Sequence, residues 1–190
     1  MATQPLPFPA NEMDRLLALA SFDVDYSNLS DNFQDLIQLA AKVAGTEISL
    51  INLIDNFTQW SVSTYGLELE QMPREDSVCQ YTIVGSEQFE IKDLSSDERF
   101  SDKFYVSGPL NLRYYFGVPL TTNNGFNVGA LCVLDTVARN LSAEKVELLK
   151  LIAKEVVSRL TTLRIIHDLK AQLNSIEETV NVWRMILEGH

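Results

Sequence analysis

The chain has 190 residues, of which 46% are hydrophobic and 22% charged, a composition that suits one globular domain with a short additional element. Its 26 acidic residues outnumber the 15 basic ones and give a formal net charge of -11. A surface this acidic repels phosphate backbones and anionic lipids, so we expect no nucleic-acid partner. No apolar run approaches the roughly 20 residues of a membrane helix. We therefore predict no membrane insertion and a cytoplasmic location.

The N-terminal third of the chain is mainly helical in its pattern. Pro5, Pro7 and Pro9 remove backbone donors, which predicts a disordered lead over residues 1–10. A first amphipathic helix begins at Asn11. A second one runs through residues 33–43, where apolar residues recur every three or four positions.

Strand-forming residues dominate the middle of the chain. Residues 48–54 and 59–65 predict one hairpin, and residues 113–120 and 127–134 predict another around an Asn-Gly turn. Between the hairpins lie a predicted short helix over 77–84, a short strand over 89–91 and an irregular segment over 95–108. Five or six sequentially neighbouring strands predict an α+β fold, with an antiparallel sheet and helices on one face.

A long helix is predicted from Ser142 to about Leu187, because this segment contains no Gly or Pro. It would be about 65 to 70 Å long, so its far half must project from the domain. Leu163, Ile166 and Leu169 are spaced three and three, which marks a change of register. Beyond it the spacing alternates between three and four, which predicts a coiled-coil seam and a parallel homodimer. The seam residues are Ile166, Leu169, Leu173, Ile176, Val180, Trp183 and Leu187.

Several short strings occur in the same order as in GAF domains of the bacterial sensor type, including those of sensor histidine kinases. The chain resembles that family over residues 12–160, and the strings are ISLINLID at 48–55, DSVC at 76–79, DERF at 97–100, RYYFGVPL at 113–120 and GALCVLD at 129–135. The resemblance implies a central antiparallel sheet with a small-molecule pocket on the face opposite the helices. It divides the chain into the lead, a GAF sensor domain over 11–163 and a coiled-coil output helix over 164–190.

The resemblance implies a sensory module that binds a small molecule and signals through a dimeric helix. Such a module is not itself an enzyme, and kinase activity would need a further domain. Related sensors usually carry His where this chain has Tyr81. The Asn-Lys-x-Phe-Asp-Glu string of cyclic-nucleotide-binding relatives and the Cys-His pair of bilin-binding relatives are both missing. The resemblance therefore assigns no cofactor, and the ligand stays unknown.

A set of polar and aromatic residues is expected around the pocket. Strand alternation places Arg113 and Tyr115 on one face, where they could hold a small anionic or planar ligand that also stacks on Trp60. Alternatively, Arg113 pairs with an acidic residue and Trp60 only fills the core. The full predicted set is Trp60, Cys79, Tyr81, Asp93, Arg99, Arg113 and Tyr115.

The two cysteines leave a second function open. Cys79 lies near a helix start, where a lowered pKa would make it a redox sensor or nucleophile, although it has no second cysteine nearby in sequence. Otherwise it is an inert buried thiol. Cys132 lies among apolar strand residues and is interpreted as core. Free-methionine-sulfoxide reductases share the GAF fold and depend on cysteines, so a reductase is one alternative. A ligand-free dimerisation scaffold is the other.

The segment that begins at His167-Asp168 resembles the phosphoacceptor segment of histidine kinases. In the heptad pattern, His167 lies beside the seam and faces water, as a residue that accepts phosphate must. The usual proline is replaced by Gln172. The alternatives are therefore a phosphoacceptor and an ordinary solvated histidine.

Overall fold

The computed structural model describes residues 7–23 and 29–188, and its centre is a six-stranded sheet. All neighbouring strands are antiparallel, in the order β3-β2-β1-β6-β5-β4. The strands are β1 (Ile48–Ile54), β2 (Thr58–Tyr65), β3 (Gln71–Pro73), β4 (Phe89–Ile91), β5 (Tyr114–Thr121) and β6 (Asn127–Asp135). The predicted α+β fold is confirmed, as are both hairpins.

Three helices cover one face of this sheet. They are α1 (Glu12–Ala20), α2 (Gln34–Ala44) and the first part of α5 (Ala143–Glu188). Two short helices, α3 (Cys79–Thr82) and α4 (Phe104–Ser107), lie over the opposite face. The main core between the sheet and the long helices includes Leu36 and Ile37 from α2, together with Leu149 and Val156 from α5.

Side-chain alternation decides which strand residues face each layer. On β5, Tyr114, Phe116 and Val118 point into the core under the long helices, whereas Tyr115 points to the other face. Every residue of β1 is buried because this strand lies at the centre of the sheet and is covered on both faces. The two sides of the sheet therefore have separate apolar clusters.

The sequence patterns missed two short elements and overestimated the length of a third. β3 has only three residues and pairs with the edge of β2, so it has no alternation long enough to recognise. The predicted helix over 77–84 is limited to Cys79–Thr82. The segment 95–108, expected to be irregular, contains α4.

A buried ion cluster connects α1 to the loop after β3. The Glu12 carboxylate accepts hydrogen bonds from Arg15, at 2.9 and 2.8 Å, and from Arg74 Nη1, at 2.5 Å. Both arginines are almost completely buried, and Arg15 Nη1 also donates to the Ile54 carbonyl at 2.6 Å. The Phe8 ring lies 4.7 Å from Arg74 Cζ. Residues 1–6 of the predicted disordered lead lie outside the described residues.

Helix α5 is continuous over 46 residues, about 69 Å at 1.5 Å per residue. Up to Leu160 the apolar residues on its inner side pack on α2 and β5, and beyond Arg164 its side chains are exposed. The predicted seam residues are between 43% and 76% exposed, so nothing in the described chain covers them. The homodimer and the boundary at residue 163 stay predictions. Among the described helices, none is long and apolar enough to cross a membrane.

Candidate functional site

An apolar cavity of about 120 Å³ lies on the sheet face opposite the long helices. β1, β5 and β6 form its floor, and α3, α4 and two loops form its walls and roof. Among the residues that the structure describes, Glu68 is the only charged one that lines it, so this lining presents no cation to an anionic ligand. Its apolar lining includes Leu50, Leu69, Met72, Phe104, Leu110, Leu112 and Leu134.

A small polar group interrupts this apolar lining at the floor. Asn52, on β1, donates from Nδ2 to Cys79 Sγ at 3.2 Å and to Cys132 Sγ at 3.4 Å. Asn52 is only 1% exposed, and its Oδ1 atom has no hydrogen-bond partner among the described residues. Because buried polar atoms are normally paired, this acceptor is available to a ligand in the cavity.

Tyr115 completes the polar floor from β5. Its hydroxyl lies 2.7 Å from Thr82 Oγ1 and donates to Cys79 Sγ at 3.3 Å. Gly117 makes room for this arrangement, because a Cβ atom at that position would lie 2.3 Å from the Tyr115 hydroxyl oxygen. Burial raises the pKa of Tyr115 well above its ordinary value, so the hydroxyl keeps its proton and remains a donor.

The surroundings shift the pKa values of the two thiols in opposite directions. Burial, the largest single influence, raises the pKa of Cys79, but hydrogen bonds from Cys132, Tyr115 and Asn52 outweigh it and lower the pKa to about 7. Burial raises the pKa of Cys132 well above its ordinary value. The pKa of Cys79 is therefore the lower of the two, so Cys79 loses its proton before Cys132 does.

Two of the seven predicted pocket residues, Cys79 and Tyr115, line the cavity. Trp60 is paired with Leu53 and packs under the long helices, so its neighbour Gln59 faces the cavity in its place. A ligand in the cavity therefore cannot stack on Trp60.

The other four predicted residues lie outside the cavity. Asp93 accepts hydrogen bonds from Ser95 and caps a turn. Arg113 donates to the carbonyls of Val106 and Leu112, at 3.1 and 2.9 Å, and holds a loop. The remaining two, Tyr81 and Arg99, form a separate cluster.

This cluster places the Arg99 guanidinium among three aromatic rings. Arg99 Cζ lies 4.8 Å from the centre of the Tyr81 ring, 5.5 Å from that of Phe89 and 5.1 Å from that of Phe100. Arg99 also forms an ion pair with Asp97 at 2.6 Å.

Sequence reasoning missed Asn52 and Gln59 and placed Cys132 in the core only. A signal for Asn52 was present, since it shares a strand face with Leu50 and Ile54 in an otherwise apolar segment. Gln59 gave no such signal, because the register of β1 and β2 shifts next to Asn52, at a bulge. Cys132 is buried as expected, but it faces the cavity.

His167 lies on the exposed part of α5. Its Nδ1 atom is 3.5 Å from Asp23 Oδ2, and the side chain is more than half exposed. Its role as a phosphoacceptor stays a prediction.

No family model matches the chain. A cyclic di-GMP phosphodiesterase of Pseudomonas aeruginosa is 37% identical to it over 165 residues, which cover 86% of this chain and 28% of that protein. The chain thus spans less than a third of the length of this relative. The expectation that the chain is not an enzyme is contradicted by this match, because the matching protein is an enzyme.

Solved structures with the same fold include two of different activities. The GAF domain of an Acinetobacter phosphoenolpyruvate-protein phosphotransferase superposes with a TM-score of 0.60 at 15% identity, covering 85% of this chain and 99% of that one. A type II free methionine-R-sulfoxide reductase from Thermoplasma acidophilum superposes with a TM-score of 0.59 at 13% identity, covering 73% and 97%. At these identities the likeness concerns the fold alone. The chain therefore contains a domain of the GAF-type fold.

Proposed function

We propose that the chain supplies a small-molecule-binding sensory domain to a cyclic di-GMP phosphodiesterase. The enzyme class comes from the Pseudomonas aeruginosa relative, whose match extends over 86% of this chain. The observation that carries the binding role is the apolar cavity with the unpartnered Asn52 acceptor in its floor. We place the protein in the bacterial cytoplasm.

The size and polarity of the cavity define the class of ligand. At about 120 Å³ it is close to the engineered apolar cavity of about 150 Å³ that binds benzene. A ligand of one small ring, with a hydrogen-bond donor for Asn52 Oδ1, fits both the volume and the floor. Cyclic di-GMP has two nucleotides and two phosphates, so it is too large and too anionic for this cavity.

The route from the cavity to α5 crosses a single layer of sheet. Tyr115 touches the cavity, while its neighbours Tyr114 and Phe116 belong to the core that packs against the long helices. A ligand that binds one arrangement of β5 more tightly shifts the population of α5 positions. In a parallel homodimer, such a shift changes how the two projecting helices cross.

This proposal replaces the sensor histidine kinase as the output class. The phosphoacceptor resemblance depends on a short string around His167, whereas the phosphodiesterase match covers most of the chain. The sulfoxide reductase remains a second candidate, because Cys79 Sγ and Cys132 Sγ lie 3.8 Å apart. Turnover of free methionine sulfoxide by the purified chain would support the reductase.

Phenol is a suitable probe for the proposed binding site, because it has one ring and one hydroxyl donor. We expect saturable binding of phenol to the wild-type chain. It is measured from the changes in amide chemical shift that phenol causes at residues around Asn52 and Leu110. Leu110→Trp, which fills the cavity from its half-buried rim, should abolish these shifts. Asn52→Leu should weaken binding about fivefold, the effect of losing one hydrogen bond of about 1 kcal/mol.

Leu148→Trp is the matched control, since it places the same side chain at an exposed position in the first part of α5, outside the cavity. It should bind phenol as the wild type does, and thermal unfolding should show that all variants fold. Equal phenol-induced changes in chemical shift in the wild type and in Leu110→Trp would contradict binding in the cavity. The ligand-free scaffold would then be the better account.

A further inference from the structure

Cys79 and Cys132 are 53 positions apart in sequence, yet their Sγ atoms lie 3.8 Å apart. Cys79 begins α3, which covers the sheet, and Cys132 lies in the middle of β6. Both are buried, and both line the cavity. They are the two cysteines of the chain, so no other thiol competes for either partner.

We propose that Cys79 and Cys132 form a reversible thiol–disulfide pair that is oxidised by hydroperoxides entering the cavity. This inference goes beyond the proposed function, because it requires neither the small-molecule ligand nor cyclic di-GMP. It assigns to the cavity floor a modification site that the two sulfurs form together.

The surroundings of the two sulfurs make Cys79 the attacking residue. Its Sγ accepts hydrogen bonds from the Asn52 amide at 3.2 Å and from the Tyr115 hydroxyl at 3.3 Å, and the Cys132 sulfur lies 3.8 Å from it. Two donors around one buried sulfur stabilise a thiolate, the form that reacts with peroxides. Burial raises the pKa of Cys132, which keeps its proton.

The reaction has two balanced steps. The Cys79 thiolate attacks one oxygen of hydrogen peroxide, so an S–O bond forms, the O–O bond breaks and the departing hydroxide takes up a proton to become water. The Cys132 sulfur then attacks the Cys79 sulfur. An S–S bond forms, the S–O bond breaks and the leaving hydroxide takes the Cys132 proton. Two thiols are oxidised, and one peroxide is reduced to two waters.

The required movement is small. A disulfide has an S–S length of about 2.05 Å, so the sulfurs must approach by about 1.8 Å from 3.8 Å. β6 is hydrogen-bonded to a strand on each side and holds Cys132 in place. α3 is a single turn of four residues that packs from above, so Cys79 is the residue that moves.

The test counts thiols in the purified, fully reduced chain after treatment with hydrogen peroxide. We expect the wild type to lose both thiols together and its mass to fall by two hydrogens, with dithiothreitol restoring both. Proteolysis should give one cross-linked peptide that contains residues 79 and 132. A wild-type chain that keeps both thiols, or that gains oxygen without a cross-link, would overturn the proposal.

Single variants separate the roles of the two cysteines. Cys132→Ser should stop at a sulfenic acid on Cys79 that dimedone traps, and Cys79→Ser should keep its remaining thiol under the same treatment. Equal oxidation rates for Cys79→Ser and the wild type would contradict the assignment of the attacking residue. If a serine variant fails to fold, the corresponding alanine variant provides the same comparison, because it leaves no unpaired hydroxyl in the cavity floor.

Tyr115→Phe tests the activation of Cys79. It removes one donor from the sulfur and keeps the ring, so oxidation should slow about fivefold, the effect of a hydrogen bond of about 1 kcal/mol. Unchanged oxidation in a folded Tyr115→Phe variant would contradict the role given to this hydroxyl. Failure of phenol to bind would contradict the proposed ligand site. It would not affect the test of the disulfide, because the thiol measurements do not depend on phenol.

Discussion

Replacing Glu12 with glutamine should lower the free energy of unfolding by about 3 kcal/mol, because it leaves two buried guanidinium groups without their shared counter-ion. The Glu12 carboxylate bonds both Arg15 and Arg74, and Arg15 is 1% exposed. Burial tends to raise the pKa of Glu12, but the hydrogen bonds from Arg15 and Arg74 outweigh it and lower the pKa. The contribution of the ionised Glu12 carboxylate to the free energy of unfolding is therefore present at neutral pH. It is lost as the pH falls below the ordinary pKa range of a glutamate.

Urea unfolding at pH 7 measures this effect. Asp14→Asn is the matched control, since it removes one negative charge from an exposed position on the same helix. It should change the free energy of unfolding by less than about 0.5 kcal/mol. If Glu12→Gln and Asp14→Asn have the same stability, the buried cluster does not hold α1 to the sheet.

Placing glutamates at Leu173 and Ile176 should convert a dimer into monomers. These residues occupy successive seam positions on the exposed part of α5, where they are 55% and 60% exposed in the single chain. A partner helix would bury them, and two carboxylates from each chain would then face each other in an apolar seam. We expect the dissociation constant to rise at least about a thousandfold, from the loss of about 4 kcal/mol of apolar burial.

Light scattering across a concentration series measures the oligomeric state. The control variant carries glutamates at Ala171 and Ser175, which adds the same charge to the outward side of the helix. It should remain dimeric. A wild-type chain that is monomeric, or a Leu173→Glu, Ile176→Glu variant that remains dimeric, would remove α5 as the proposed dimer contact.

Much of the fold could be predicted from the sequence, because its main elements have long and regular patterns. β1 and β6 contain enough consecutive strand-forming residues to be recognised, and the Asn-Gly turn locates one hairpin. α5 is a helix over almost the predicted range. β3 and α4 have three and four residues, too few for any periodicity. Tertiary contacts determine their structure.

The cavity was harder to predict because its key residues meet only in three dimensions. Cys79 and Cys132 gave no paired signal in the sequence, since β6 and α3 come together only when the sheet forms. Trp60 was expected to contact the ligand, but strand alternation turns it to the other face and Gln59 takes its place. The burial of Arg15 was not predicted for a different reason. Arg15 lies in an amphipathic helix, where a charged residue is expected to face solvent unless its buried partners are known.

On the proposed function, occupation of the cavity changes the rate of cyclic di-GMP hydrolysis. The most direct measurement uses the Pseudomonas aeruginosa phosphodiesterase with this chain in place of its matching 165 residues. Cyclic di-GMP hydrolysis is then followed by chromatography with and without phenol. We expect the rate to change about fivefold or more, the lower end of ordinary coupling between two sites, and not to change when the chain carries Leu110→Trp. Equal rates with and without phenol, in a chimera shown to bind phenol, would contradict it.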